Sequence, residues 1–314
     1  MFSTTNVDHL TRSNIWSTQL KEVLQDELQG QKYVDWLTEF PDGDTFNIPS
    51  IGTPTVLDYA EGQAIRYTAA DTGNFTFSIT DYKASATYVT NKAKQDMFYM
   101  DRLISTFVPG QNRAIMEAIE ADVMDLGPEA QTSSDLNLIN GAPHRWVTAG
   151  SNQVMQLSDF AKANFSLNKA NVPFQNRVAI VDPSVGFALE TATNLTNVSN
   201  NPMWEGIITT GLVNNMAFIK NVYGFDVYVS NRLKTGVNET INSITSGAGV
   251  ANLFFSAAPG VLPFIGAMRQ PPKVDSEYNK DFQRDEYVTT CRYGLKLYRP
   301  ENMVVVITDT DQVA

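Results

Sequence analysis

Across 314 residues, 34 aspartates and glutamates outweigh 23 lysines and arginines for a net charge of −11, and such a chain lacks the concentrated cationic surface needed to grip nucleic-acid phosphates. Hydrophobic residues make up 43% and charged residues 18%; the second figure lies below the roughly 25% usual for soluble proteins, and the Asn, Thr, Ser and Gln that fill the gap lose less than Lys or Glu when buried between proteins. The single Cys291 excludes an intramolecular disulfide, no apolar run reaches the ~20 residues of a membrane helix, and the N-terminus has no basic stretch leading into an apolar one, so the expected compartment is cytoplasm-like.

Taken in order, the chain first offers Ser13 as a cap for a helix whose Trp16, Leu20, Val23, Leu24 and Leu28 share one stripe, with Gly30 as its stop. Residues 1–39 therefore read as an N-terminal arm that docks through Trp16 and Leu20. Residues 40–90 read as an extended hairpin. In Asn74-Phe75-Thr76-Phe77-Ser78-Ile79-Thr80 every second residue is apolar, which marks a strand with one covered and one wet face. Thr45-Phe46-Asn47-Ile48-Pro49 and Ala64-Ile65-Arg66-Tyr67-Thr68 repeat the alternation more weakly. Between these strands, Pro41-Asp42-Gly43-Asp44, Ser50-Ile51-Gly52-Thr53-Pro54, Glu61-Gly62 and Asp71-Thr72-Gly73-Asn74 carry turn chemistry. With too little apolar surface to be a domain by itself, the hairpin is expected to be buried by another copy of the chain. The contact residues predicted for it are Phe46, Ile48, Ile51, Tyr59, Ile65, Tyr67, Phe75, Phe77 and Ile79. An ordinary antiparallel sheet within one sandwich is the competing reading.

Lys92 to Val108 reads as helix, with Met97, Met100, Leu103, Ile104 and Phe107 on one stripe, and Pro109-Gly110 is expected to break or kink it. Gln111 to Leu126 resumes with Ile115, Ile119, Val123 and Leu126 inward and Glu117, Glu120 and Asp125 outward, closing at Gly127-Pro128. Residues 129–285 then form an α+β module of short elements. Leu157 to Ala170 and Pro183 to Thr193 read as helices, the second started by its proline. Arg177–Val181 and Asn252–Phe255 read as apolar strands, Ala217–Ile219 and Val227–Val229 as paired strands around Tyr223-Gly224-Phe225, and Gly260 to Gly266 as a flexible stretch. Finally Tyr287 to Arg299 is a long strand turned by Pro300-Glu301-Asn302 into Met303-Val304-Val305-Val306-Ile307, a closing hairpin over 286–314 that needs the long helix as its partner.

In this order of parts the chain resembles the major capsid protein of tailed bacteriophages. The residues that carry the resemblance are Asp44 to Pro49 with Ile51-Gly52-Thr53-Pro54-Thr55-Val56, Tyr59-Ala60-Glu61-Gly62 and Ile65-Arg66-Tyr67. To these are added Asn171-Val172-Pro173 leading to Arg177, then Gly224-Phe225-Asp226-Val227-Tyr228-Val229-Ser230-Asn231, and Tyr293-Gly294-Leu295-Lys296 with Arg299-Pro300-Glu301. The fold it implies is α+β, the Hong-Kong-97-like capsid fold. That fold has an N-arm (1–39), an extended hairpin (40–90), a peripheral domain of kinked spine helix and sheet (91–128 and 286–314), and an inserted axial domain (129–285).

The same resemblance implies a coat protein that assembles with itself into pentamers and hexamers around a double-stranded DNA genome, in a virion built in the host cytoplasm. A portal protein, a separate scaffolding protein and a decoration or cement protein are the further partners it brings; no membrane and no cofactor are involved. Rings of this kind use heterologous contacts, so each subunit presents two different faces. Some members crosslink through a lysine on the hairpin, but Gly43 to Tyr82 holds no lysine and Lys83 stands only at its base. Others carry a long N-terminal scaffold segment, whereas here the hairpin starts by about Phe40, which is why the scaffold is expected to be a separate protein. An encapsulin-type compartment would share the fold without a genome.

An enzyme reading finds less to stand on. His9 and His144 are the only histidines and neither has metal-ligand spacing; Cys291 lies in an apolar strand and reads as core; nucleophile-elbow, phosphate-loop and dinucleotide signatures are absent from the sequence. Glu120 with Asp122, and Asp309 with Asp311, read as solvated faces, leaving a carboxylate-dependent hydrolase as the remaining enzymatic alternative.

Overall fold

A computed structural model describes residues 28–37, 43, 45–52, 56–65, 67, 69, 72–96, 100–191 and 221–309. The helix expected around Trp16 and Leu20 and the strand expected at Ala217–Ile219 lie outside them.

In chain order the elements are a 3-10 turn at Gly30–Tyr33 and strands β1 (Val34–Leu37), β2 (Thr45–Ile51), β3 (Thr72–Ser78) and β4 (Asp81–Thr90). Helices α1 (Asn91–Asp96) and α2 (Met100–Ala130) follow, then β5 (Leu138–Ile139), β6 (Ala142–Pro143), β7 (Arg145–Val147), α3 (Leu157–Lys169), β8 (Arg177–Val181) and α4 (Pro183–Thr191). The rest is strand: β9 (Asn221–Val222), β10 (Phe225–Val229), β11 (Thr240–Ile241), β12 (Ile244–Thr245), β13 (Gly249–Ser256), β14 (Phe264–Asn279), β15 (Arg284–Leu297) and β16 (Val304–Asp309).

Two sheets sandwich α2. One has the order β1-β14-β15-β4 and the other β7-β16-β13-β8-β10-β9. The alternation of side chains across the second sheet divides the core. Val178, Ile180, Leu253, Phe255, Val305 and Ile307 join Ile115, Ile119, Val123 and Met124 of α2, with Cys291, Tyr293 and Leu297 of β15 closing that layer from the opposite side. Ala179, Val181, Phe254, Val304 and Val306 point the other way, onto Phe160 and Leu167 of α3 and Val185 and Leu189 of α4. Strands covered on both faces need continuous apolar runs, and residues 178–181 and Met303–Ile307 have them.

That requirement overturns the closing hairpin. β15 and β16 do not pair; β15 lies between β14 and β4, and β16 crosses into the other sheet between β13 and β7. Asn302 steers the crossing. Its buried side chain accepts the Ser256 N–H at 2.8 Å and donates to the Ser256 carbonyl at 2.8 Å, fastening the Pro300–Asn302 turn to the end of β13. The partner that β15 does have is β14, which begins inside the stretch expected to be flexible: Phe264, Ile265 and Ala267 are all buried. Register shifts between Met268, Gln270 and Lys273 let that strand absorb Pro271 and Pro272 as bulges.

The pieces on either side of Pro109-Gly110 form one long helix, as expected, and the departure is at the second breaker, where α2 continues past Gly127-Pro128 to Ala130. Gly127 is a close-approach residue and not a stop, since a Cβ there would lie 2.8 Å from the Leu253 side chain. Past the helix end, the buried Arg145 guanidinium forks onto Glu239 at 2.6 and 2.9 Å and donates to the Pro128 carbonyl at 3.0 Å. No described helix is long and apolar enough to cross a membrane.

Candidate assembly surface

The hairpin is two structures in one. At its base, β2 and β3 pair in a register that sets Phe46 opposite Phe77 and Ile48 opposite Phe75. Period-two geometry then puts these four on one face, with Thr45, Asn47, Asn74, Thr76 and Ser78 on the other. The apolar face lies on the chain's own four-stranded sheet. Phe46 stacks on Phe77 at 4.9 Å between ring centroids, Phe75 meets Tyr298 edge-on at 5.0 Å, and the group closes over Leu37, Ile265 and Ala267. Lys296 reinforces it by donating to the Thr76 carbonyl at 2.7 Å with its ammonium 4.9 Å from the Phe75 ring centroid. Phe77 and Ile79 retain 4% and 2% exposure. Contrary to the expectation that the whole hairpin waits for another copy, these two residues are already buried by their own molecule, and Phe46, Ile48 and Phe75 are half-buried there.

Beyond Ile51 the character changes. Ile51 itself pairs with Thr72 at the end of the ladder. Past it, Val56 is 96% exposed, Tyr59 66%, Ile65 65% and Tyr67 91%, and Leu57 is also exposed. Scattered apolar side chains on a surface need no explanation, but five exposed ones within twelve positions of one loop are a concentration of the kind that marks an interaction site. Tyr59, Ile65 and Tyr67 were expected in this role. Val56 and Leu57 were not, because the alternation that singled out contact residues does not extend through Pro54-Thr55-Val56-Leu57. Trp16 and Leu20, the arm's expected contacts, lie outside the described residues.

The root of the hairpin is held by charge and hydrogen bonding to the spine helix. Tyr293, wholly buried on β15, donates its hydroxyl to Asp122 of α2, and Lys83 of β4 approaches the same carboxylate at 3.1 Å. Burial and the neighbouring Asp122 hold Asp81 above the usual carboxylate range against the pull of Lys83. Burial, with the bond to Asp122, likewise pushes the Tyr293 phenol up. Lys83, the lysine nearest the hairpin, is thus engaged with the spine helix.

The expected outward placement of Glu120 is also corrected. Its side chain is fully buried, and its carboxylate accepts the backbone N–H groups of Gln29, Gly30 and Gln31 at 2.7, 2.6 and 3.1 Å. A charged group survives burial only with such partners. Periodicity gives a hint that was passed over, since position 120 adjoins the inward Ile119 and precedes Val123 by three. Among the described residues, no group of three or more His, Cys, Asp or Glu side chains is placed to hold a metal ion. His144 is wholly buried with its pKa lowered by desolvation, and burial raises the Cys291 thiol.

Comparison with known proteins agrees with this architecture. The model of a family described as phage capsid protein matches residues 73–306. No curated protein sequence matches the chain. Among solved structures, one of Mycobacterium phage Che8 is 18% identical, with a TM-score of 0.66 over 94% of this chain and 96% of that one. The mature capsid asymmetric unit of bacteriophage PhiM1 is 11% identical, with a TM-score of 0.71 over 98% and 95% of the two chains. The capsid structure of the cyanophage P-SCSP1u is 14% identical, with a TM-score of 0.70 over 96% and 93%.

Proposed function

Since this chain belongs to the phage capsid protein family and builds the shell of the virion, we propose that neighbouring copies are joined in that shell chiefly by the exposed hairpin tip, with the base serving as its mount. The observation that carries this is the split within one hairpin. Phe77 and Ile79 are sealed against the parent sheet while Val56, Tyr59, Ile65 and Tyr67 stand in solvent, so the lever is rigid where it is attached and adhesive where it reaches.

Copies related by rotation would close into pentamers and hexamers through heterologous contacts, tip on one side and acceptor face on the other. The N-terminal arm, with Trp16 and Leu20, adds a second contact of the same kind. In place of a division at residues 285 and 286, the spine helix with β1, β4, β14 and β15 would form the peripheral part, and the six-stranded sheet, β16 included, with α3 and α4 the axial part. Interfaces of such assemblies bury on the order of 2,000 Å² or more, and contact area, with no covalent or catalytic step, is what holds the shell together. The lack of lysine from Gly43 to Tyr82 supports a shell without hairpin crosslinks. The negative net charge supports a container that encloses double-stranded DNA without gripping it. A scaffolding protein, a portal and a decoration protein complete the set of partners, with assembly in the host cytoplasm.

The test replaces Val56, Tyr59, Ile65 and Tyr67 together by serine in the full-length protein. The expected product is folded and soluble, with unchanged thermal unfolding, and yields free subunits but no closed shells by negative-stain microscopy. Normal shells from that variant would refute the role of the tip.

A further inference from the structure

We propose that Glu120 is a positioning residue for assembly: its carboxylate fastens residues 29–37, the strap from which the N-terminal arm departs on one side and the hairpin on the other. The inference rests on the reading above that arm and hairpin act between copies, and it assigns to the spine helix the control of where both begin.

The fastening is made at three successive amides. The opening N–H groups of a helical turn have no partner within the turn, and here Glu120 supplies one for each of Gln29, Gly30 and Gln31. The Gln31 side chain adds a bond to the Met116 carbonyl at 2.7 Å, one turn back along the same helix. Gly30 is part of the device. A Cβ there would lie 2.9 Å from Met124 Cε, 3.2 Å from Val123 Cγ1 and 3.3 Å from Glu120 Oε1, so any side chain would press on all three and the bare backbone lets the strap sit low on α2. Beyond the amides the strap is gripped again. Tyr33 meets Phe255 edge-on at 5.0 Å, Val34 is buried, and β1 pairs in parallel with β14 at Phe264 to Ala267. Trp36 lies over Gly266, where a Cβ would come within 2.8 Å of the indole.

The consequence is geometric. A buried carboxylate cannot be left without its donors, so the strap cannot swing away from α2 while Glu120 stays inside. Packing and the β1–β14 ladder would hold residues 33–37 without Glu120, Val34–Leu37 forming the sheet edge. That hold does not reach the point where the chain leaves at Leu28, beside which Glu120 and Met116 of the spine helix hold the Gln29–Gln31 amides and the Gln31 side chain.

Three variants of the full-length protein test this by hydrogen exchange on unassembled subunits and by shell yield. Glu120→Ala removes the acceptor, Gly30→Ala lifts the strap from the opposite side, and Glu120→Gln keeps one carbonyl oxygen. The expected result is exchange at Gln29–Gln31 accelerated by about tenfold or more in the first two and less in the third, with the amides of β13 and β16 unchanged. Shell yield should fall in the same order. Unchanged exchange at the strap would overturn the fastening. A loosened strap with normal shells would overturn its part in assembly, and because exchange is read on free subunits this failure is separable from failure of the tip variant. Faster exchange throughout the core would make Glu120 merely structural; if Glu120→Ala does not fold, Gly30→Ala carries the same test with the carboxylate intact.

Discussion

Gly294 passes beneath the Ser78 carbonyl so closely that a Cβ on it would lie 2.5 Å from the Ser78 oxygen and 2.9 Å from the Ile79 Cα. The hairpin root therefore crosses β15 at the one position where that strand carries no side chain. Gly294→Ala should displace the root and cost about 1–3 kcal/mol, the range for forcing extra volume into a packed site. A lowered Tm together with faster proteolysis near Ile79 checks the prediction. Unchanged values for both would mean that the crossing is looser than the geometry states.

Base and tip of the hairpin should separate cleanly under mutation. Phe77→Ala empties a site with 4% exposure that touches Phe46 and Phe75, and should cost about 3–5 kcal/mol. Tyr67→Ala removes a ring that is 91% exposed and should change stability by less than about 0.5 kcal/mol while lowering shell yield. Denaturant unfolding paired with particle counts reads both. If Phe77→Ala proves neutral to stability, the base is not mounted on its own sheet.

The same contrast shows what could be read from the sequence. Alternation at Asn74–Thr80 correctly gave β3 and its apolar face, but period two says only that a face is covered, never by which molecule. The covering surface is Ile265 and Ala267, in a strand whose flanking Pro263, Gly266, Pro271 and Pro272 disguise it as a loop. Met303–Ile307 held a clearer signal. An unbroken apolar run belongs to a strand buried on both faces, so it could not be half of a one-sided closing hairpin. Glu120 was missed because its partners are backbone amides about ninety residues away, which no local pattern displays.

Acid should weaken the fold through His144. Its ring is fully buried, and the Nδ1 atom lies 3.1 Å from the Ala142 carbonyl. Desolvation lowers its pKa, the Ala142 carbonyl and the nearby Glu301 opposing by smaller amounts. The unfolded chain then binds the proton first, so stability contributed by the neutral ring is complete above the unfolded value of about 6.5 and is lost as pH falls from there through the folded value. Asp159, Asp81 and Asp125, each raised chiefly by burial, act with the opposite sign. The histidine's contribution falls across the window from about pH 7 down to 5, and a variant without the imidazole isolates it there. Urea midpoints should decline across that window in the native chain and decline less in His144→Gln; equal slopes would exclude His144 as the source.

Isolated subunits should ignore DNA. The net charge is −11, and many of the cations that exist are already matched. Lys83 faces Asp122, Arg113 and Arg232 face Glu117, Lys234 faces Asp125 and Glu129, Arg284 faces Glu286, and Lys273 faces Asp275. Phosphates could recruit these groups only by displacing carboxylates that move with the same backbone, and few counterions would be released in exchange. The expected affinity for duplex DNA at physiological salt is weaker than the roughly 10⁻⁴ M limit of ordinary non-specific binders, with almost no slope of log K against log salt. A steep slope would require a cationic surface among these paired residues, and the enclosed genome would then be held by the wall instead of confined by it.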